Sequence, residues 1–190
     1  MRGRRTRRRV AVFLDRDGVL NEAMVRGGRP LPPTSVEEVV IRDGVREACR
    51  GFRDAGLLLI VVTNQPDIAR RTSTWESVHA INEYLMVELA LDAVLVCAHD
   101  DVDGCGCRKP APGLLFSAAD RFGLDLARSV MVGDRWRDIE AGARAGVSTV
   151  WVRSDYCEPP PNAPDHVVDG LLDVVPLVSS SLAVDEESVR

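Results

Sequence analysis

The sequence predicts a three-layer α/β/α sandwich around a central parallel sheet. Three observations predict it. Short apolar runs rich in β-branched residues alternate with helical stretches through most of the chain, a pattern that builds parallel strands with helices on both faces. Three of those runs stop in polar or acidic residues, at Asp15-Arg16-Asp17-Gly18, Thr63-Asn64 and Gly133-Asp134, and open α/β sheets carry their chemistry at such strand ends. The length of 190 residues fits one domain with a real core, and no insertion is long enough for a second folded domain or a large cap.

The elements follow in order. Residues 1–9 read as a basic tail, and the folded domain is expected over residues 10–178. Val10 to Leu14 is a buried strand. Asn21 to Thr34, with Pro30, Pro32 and Pro33, reads as a loop rising over the strand ends, where loops often carry specificity. Asp43-Gly44 opens a helix that Gly56 closes. Leu57 to Val62 is a second strand. Gln65 to Ser73 is loop, and Thr74 caps a helix running to about Leu89. Ala93 to Val96 is a strand. Pro112-Gly113 precedes a helix to Phe122, Ser129 to Val132 is a strand, and Trp136 to Ala145 is a helix ended by Gly146. Ser148 to Val152 is a strand, Pro159-Pro160-Pro161 breaks the chain, His166 to Val168 adds a last strand and Leu171 to Leu177 a short helix. Residues 179–190 read as a frayed tail.

Composition narrows the classes. Hydrophobic content of 45% is ordinary for a globular protein, and no apolar run reaches the roughly 20 residues of a membrane span. No apolar signal-peptide core is seen, so a cytoplasmic setting is expected. The net charge is −5, yet six arginines fall in the first nine residues, so the rest of the chain is more acidic still. A basic arm on an acidic body is not the footprint of a nucleic-acid binder, which carries a basic face on the fold itself. Of 24 basic residues, Lys109 is the only lysine. A lysine offers a compact point charge where an arginine offers a broad planar fork.

Two constellations carry chemistry. Side chains two apart on an extended segment point the same way, so Asp15 and Asp17 leave their strand together. Burying both needs a partner, and oxygen ligands of this kind suit Mg²⁺. Thr63, Lys109, Asp134 and Asp138 add hydroxyl, ammonium and carboxylates at neighbouring strand ends or loops. Together they describe a phosphoryl-transfer site. The second constellation is Cys97-Ala98-His99, five residues, then Cys105-Gly106-Cys107. Thiolates and imidazole in a set of four suit tetrahedral Zn²⁺. A Cys105–Cys107 disulfide would be strained and is disfavoured in a reducing compartment. Four protein ligands close the site, so a structural zinc that staples the loop before Arg108 and Lys109 is expected.

Asp15-x-Asp17-Gly18, Thr63-Asn64, Lys109-Pro110 and Gly133-Asp134-x-x-x-Asp138, in that order, resemble the four signature motifs of haloacid-dehalogenase-like phosphatases over about residues 10 to 155. The resemblance implies a Rossmann-like fold. It implies Asp15 as the nucleophile that forms an aspartyl-phosphate and Asp17 as general acid and base. Mg²⁺ would be held by Asp15, the main-chain carbonyl of Asp17, and Asp134. Thr63, the backbone at Asn64, and Lys109 would bind the transferring phosphoryl oxygens, with Asp138 behind them orienting Lys109 or a metal-bound water. A zinc loop directly before Arg-Lys-Pro resembles two phosphatase groups, those acting on D-glycero-D-manno-heptose 1,7-bisphosphate and the bacterial histidinol-phosphate phosphatases. Asn21, the Asn64-Gln65-x-x-Ile68-Ala69-Arg70 stretch and Pro112-Gly113 lean to the former; the five-residue zinc spacer leans to the latter. Ala98 departs from both patterns and Pro66-Asp67 from that of the heptose enzymes, near the substrate. Asn64, Gln65, Arg70 and Arg108 are the expected substrate contacts, with Arg108 placed for the distal part of a sugar phosphate. A monomer is expected. A non-catalytic zinc-stapled binding protein and a polynucleotide 3′-phosphatase are the alternatives of another class, the first opposed by the complete set of catalytic acids and the second by the acidic body.

Overall fold

The computed structural model describes residues 8–178. Of the expected tails at 1–9 and 179–190, residues 1–7 and 179–190 lie outside the described residues. The chain order is β1 (Ala11–Leu14), a hairpin of β2 (Met24–Arg26) and β3 (Arg29–Leu31), α1 (Val45–Asp54), β4 (Leu58–Asn64), α2 (Trp75–Leu89), β5 (Ala93–Cys97), α3 (Gly113–Phe122), β6 (Val130–Gly133), α4 (Trp136–Ala145), β7 (Ser148–Val152) and β8 (His166–Val168). A 3-10 turn at Leu171–Asp173 leads into helical residues 174–178.

Six strands form one sheet in the order β5-β4-β1-β6-β7-β8, with every pairing parallel. Renumbered within that sheet, the order is 3-2-1-4-5-6, the doubly wound pattern, whose switch point lies beside the first strand. β1 sits between β4 and β6, so their carboxyl ends open into one crevice.

Alternation along β1 divides the core. Val12 and Leu14 pack with Leu59, Val61, Val130 and Val132 against Ala48, Phe52, Ile81 and Leu85 of α1 and α2. Ala11 and Phe13 face the other way, with Ile60, Val62 and Met131, against Leu114, Leu115, Ala118 and Ala141 of α3 and α4. Both faces of the strand are covered, which is why it reads as a continuous apolar run. Full burial of a Phe or Leu here contributes roughly 1.5–3 kcal/mol before conformational entropy is counted.

Two expectations need correction. The stretch from Asn21 to Thr34 is not loop throughout, because β2 and β3 pair antiparallel, Met24 with Leu31 and Arg26 with Arg29. Gly27 and Gly28 have φ of 58° and 76°, the left-handed values that a two-residue hairpin turn requires at both central positions. The folded body also starts earlier than residue 10. Arg9 N donates to Gly123 O at 3.2 Å, and Asp125 N donates to Arg9 O at 2.8 Å, so main-chain pairing removes Arg9 from the tail.

Candidate active site

Asp15 leaves the end of β1, Thr63 and Asn64 close β4, and Asp134 follows β6; Asp138 lies in the first turn of α4. Lys109 arrives from the loop between β5 and α3 and is 1% exposed. Its Nζ lies 2.9 Å from Asp15 Oδ1 and 2.6 Å from Asp138 Oδ1 and donates to Val62 O at 2.7 Å. All three protons of the ammonium are therefore placed. Asn64 fixes the backbone beneath it, since Asn64 Nδ2 donates to Lys109 O and Lys109 N donates to Asn64 Oδ1, each at 3.0 Å.

Asp15, Asp134 and Asp138 offer oxygens that all lie within 4.8 Å of one another. Each such pair of buried charges repels by about 3–4 kcal/mol at an effective dielectric near 20. One ammonium cannot neutralise three carboxylates. Burial, then Asp138, push the Asp15 carboxyl up to about 6, although Lys109 pulls it down. Burial, then Asp15 and Asp138, hold Asp134 well above the ordinary carboxylate range. Burial opposes charge on Lys109, but Asp138 and Asp15 outweigh it and raise the ammonium above its usual value. One oxygen, Asp134 Oδ1, is buried without any hydrogen-bond partner. A hard dication fits this cluster: it supplies the missing charge and the missing partner.

Asp17 points elsewhere. The guanidinium of Arg16 meets it through Nε to Oδ1 at 3.1 Å and Nη2 to Oδ2 at 2.9 Å. Asn21 Nδ2 donates to Oδ1 at 3.0 Å and Gln65 Nε2 to Oδ2 at 2.8 Å. The side chain of Asp17 is thus outside the acid triad, while Asp138, expected behind it, is a member. Arg16 is itself 1% exposed and anchored to α2 through Nη1 and Asn82 Oδ1 at 3.0 Å.

A cavity of about 550 Å³ opens above these groups, lined among others by Asp15, Asp17, Thr63, Lys109 and Asp138. Arg29, Arg70, Arg108, Arg135 and Arg137 also line it, together with Asp67, Asp101 and Glu158. Arg70 forks onto Asp100, with both contacts at 2.7 Å. Arg108 binds Asp101 Oδ1 at 2.8 Å and His99 O at 3.2 Å, and Arg137 reaches the same Asp101 oxygen at 3.0 Å. Arg135 pairs with Glu158. Gln65, expected at the substrate, lies behind the cavity wall, because its amide is engaged by Asp17 and by Thr63 Oγ1 at 3.0 Å.

Sequence reasoning missed Arg16, Asn82, Arg29 and Tyr156. The apolar stripe of α2 interrupted by a buried Asn82 was a signal for the first two, and the Gly27-Gly28 hairpin turn was one for Arg29. Cys157, which looks like a bystander in the sequence, lines the cavity and donates its N–H to Gly28 O at 2.8 Å, tying the hairpin down.

Gly18 follows the acids with φ of 87°, and a Cβ there would lie 1.8 Å from Asp134 Oδ2. The left-handed backbone alone costs a non-glycine residue about 1–2 kcal/mol, and the clash falls on an acid held from several sides. Gly18→Ala is expected to lower the melting temperature by at least about 5 °C, at roughly 2–4 °C per kcal/mol for a chain of this size, and to weaken Mg²⁺ binding. Calorimetric melting with and without Mg²⁺ checks both.

The second cluster is Cys97, His99, Cys105 and Cys107, whose ligand atoms also lie within 4.8 Å of one another. The sulfur–sulfur separations run from 3.3 to 3.7 Å, and His99 Nδ1 lies 3.5 Å from Cys97 Sγ and 3.3 Å from Cys107 Sγ. A tetrahedron with Zn–S bonds of ~2.3 Å has edges near ~3.7 Å, so the set fits a small cation. The thiols are unequal: burial lifts Cys97 to about 12, whereas hydrogen bonds from Cys107 and the nearby backbone outweigh burial at Cys105 and bring it to about 7.

A family model described as HAD-hydrolase-like matches residues 106–174. The chain is 37% identical over 179 residues to the D-glycero-beta-D-manno-heptose-1,7-bisphosphate 7-phosphatase of Escherichia coli K12, covering 86% of this chain and 91% of that one. It is 35% identical over 145 residues to the D-glycero-alpha-D-manno-heptose-1,7-bisphosphate 7-phosphatase of Campylobacter jejuni, covering 74% and 80%. The crystal structure of D,D-heptose 1,7-bisphosphate phosphatase from B. bronchiseptica, complexed with magnesium and phosphate, superposes with a TM-score of 0.78 at 29% identity over 90% of this chain and 98% of that one. A putative HAD-like phosphatase from Mesorhizobium loti superposes with a TM-score of 0.73 at 31% identity, covering 92% and 88%. No helix among the described residues is long and apolar enough to cross a membrane. With these relatives and the four motifs assembled at one sheet edge, the chain belongs to the haloacid-dehalogenase-like phosphatases, phosphoric monoester hydrolases of the group that includes the heptose-1,7-bisphosphate 7-phosphatases.

Proposed function

We propose that the protein removes the 7-phosphate of D-glycero-D-manno-heptose 1,7-bisphosphate, using Mg²⁺ in the acid cluster and Zn²⁺ in the cysteine cluster. The observation that carries the chemistry is Lys109 Nζ between Asp15 and Asp138, with Asp134 within the same 4.8 Å group. Asp15 attacks phosphorus, forming an Oδ–P bond as the ester P–O bond breaks. Asp17 gives a proton to the leaving alkoxide, then takes one from the water that cleaves the aspartyl-phosphate and restores Asp15. Thr63, the backbone at Asn64, and Lys109 stabilise the oxygens of the phosphoryl group. Asp15, Asp134 and the main-chain carbonyl of Asp17 would hold Mg²⁺, which would supply the positive charge that lets an anionic nucleophile approach an anionic phosphate. Cys97, His99, Cys105 and Cys107 would hold Zn²⁺ with a full set of four protein ligands, which suits a structural role.

The cavity supports the bisphosphate over histidinol phosphate. Away from the acid cluster its lining sets five arginines against Asp67, Asp101 and Glu158, and Arg29 meets no carboxylate among the described residues. An unpaired guanidinium suits a second phosphate and repels the ammonium and imidazolium of histidinol. One charge-assisted contact contributes about 1.5–3 kcal/mol, so the bisphosphate is expected to exceed histidinol phosphate and sugar monophosphates by roughly ten- to a hundredfold in kcat/KM. A panel with both heptose anomers measures this. Histidinol phosphate at the top of that panel would overturn the substrate and leave the chemistry standing. A small phosphorylated sugar acted on by a monomer is the simplest arrangement in keeping with a cavity built within one chain.

A further inference from the structure

Asp134 is held from three directions by a segment that lies outside every signature motif. Tyr156 Oη donates to Asp134 Oδ2 at 2.7 Å. Trp151 Nε1 and Ser154 Oγ both donate to the main-chain carbonyl of Asp134, at 3.1 and 2.8 Å. Gly18 packs so closely that a Cβ there would meet both Asp134 Oδ2 and Tyr156 Oη. The remaining oxygen, Oδ1, is buried and has no partner. The Tyr156 segment is in turn fixed, by the bond from Cys157 N to Gly28 O and by the pair of Arg135 with Glu158.

We infer that Tyr156 is a positioning residue that occupies one oxygen of Asp134, so that the carboxylate meets the metal through Oδ1 alone and favours Mg²⁺ over Ca²⁺. The inference rests on the metal-dependent reading proposed above. A phenolic hydroxyl has one proton to give, and here it is given to Oδ2. Mg²⁺ needs near-ideal octahedral geometry at ~2.0–2.1 Å and is served by carboxylates that bind through one oxygen. Ca²⁺ is larger, takes about 6–8 ligands and accepts both oxygens of a carboxylate. Removing the hydroxyl frees Oδ2 and lets the carboxylate turn. That change penalises Mg²⁺ and is neutral or favourable for Ca²⁺. A tyrosine that only filled space would affect the two ions alike.

The test is calorimetric titration of the metal-free acid site, with the cysteine site left loaded, using Mg²⁺ and Ca²⁺ separately on the wild type and on Tyr156→Phe. Partners outside the ligand set commonly change metal affinity about ten- to a hundredfold. The dissociation constant for Mg²⁺ is expected to rise at least tenfold in the variant while that for Ca²⁺ moves less than threefold. Thermal melting without metal checks that the variant folds. Tyr156→His keeps a ring donor and is expected to recover part of the Mg²⁺ affinity. An unchanged Mg²⁺ constant in the phenylalanine variant, or equal weakening of both ions, overturns the inference. No Mg²⁺ binding by the wild type would instead overturn the metal-dependent reading beneath it.

Discussion

Asp15→Asn is expected to abolish phosphate release, by roughly 10⁴-fold or more, without loosening the fold. The magnitude follows from deleting a nucleophile that forms the covalent intermediate, where single substitutions elsewhere have cost about 10⁶-fold. The stability half follows from the raised carboxyl. Asp15 titrates near 6 when folded against 3.8 unperturbed. A carboxyl raised on folding binds its proton more tightly in the native state, so its contribution to stability falls as pH rises from about 4 to about 6. Above that window the charged form costs the metal-free protein about 3 kcal/mol, at ~1.36 kcal/mol per pKa unit. Asparagine removes this cost and forfeits the ion pair to Lys109, so the metal-free melting temperature at pH 7.5 should hold or rise. Added Mg²⁺ should raise the melting temperature of the wild type more at pH 7.5 than at pH 5.5, and should do little for the variant. A variant that melts well below the metal-free wild type would show that Asp15 serves the fold before the chemistry. Residual turnover above a hundredth of wild type would remove Asp15 from the role of nucleophile.

Cys107→Ser is expected to empty the cysteine cluster and take activity with it. Apparent zinc binding energies of ~10–16 kcal/mol are folding energies in small zinc domains. Even a quarter of that, about 3 kcal/mol, lowers the melting temperature by roughly 6–12 °C here. The catalytic consequence is local. Cys107 is followed at once by Arg108 and Lys109, and Gly113 N donates to Gly106 O at 3.0 Å, so the loop and the start of α3 are one piece. Lys109 must stay within about 3 Å of two acids, and displacement by ~1 Å can cost about a hundredfold. Metal analysis should find one zinc per wild-type chain and none in the variant, with kcat/KM down at least a hundredfold. Zinc-free wild type with full activity would refute the coupling.

The strands were legible because both faces of β1, β4 and β6 are covered, so burial leaves continuous β-branched runs. The acids were legible because period-two geometry forces Asp15 and Asp17 out of one strand end. What the sequence concealed was orientation. Asp15 and Asp17 leave together, but the Asp17 carboxylate is taken up by Arg16, itself buried and anchored on Asn82, sixty-six residues further along the chain. No local pattern encodes that meeting. The hairpin was hidden for another reason: its glycines and prolines look like loop, and only the paired glycines flanked by Arg26 and Arg29 signal a two-residue turn. Tyr156 carries no motif because it acts through Asp134 and not on substrate.

The burial of the only lysine has a practical corollary. An imidate reagent, which is selective for amines, has one side-chain target in this sequence, and that target is sealed at the floor of the cleft. Chemical labelling of nitrogen therefore becomes a gauge of how often the cleft breathes open, with bound metal or product slowing the clock.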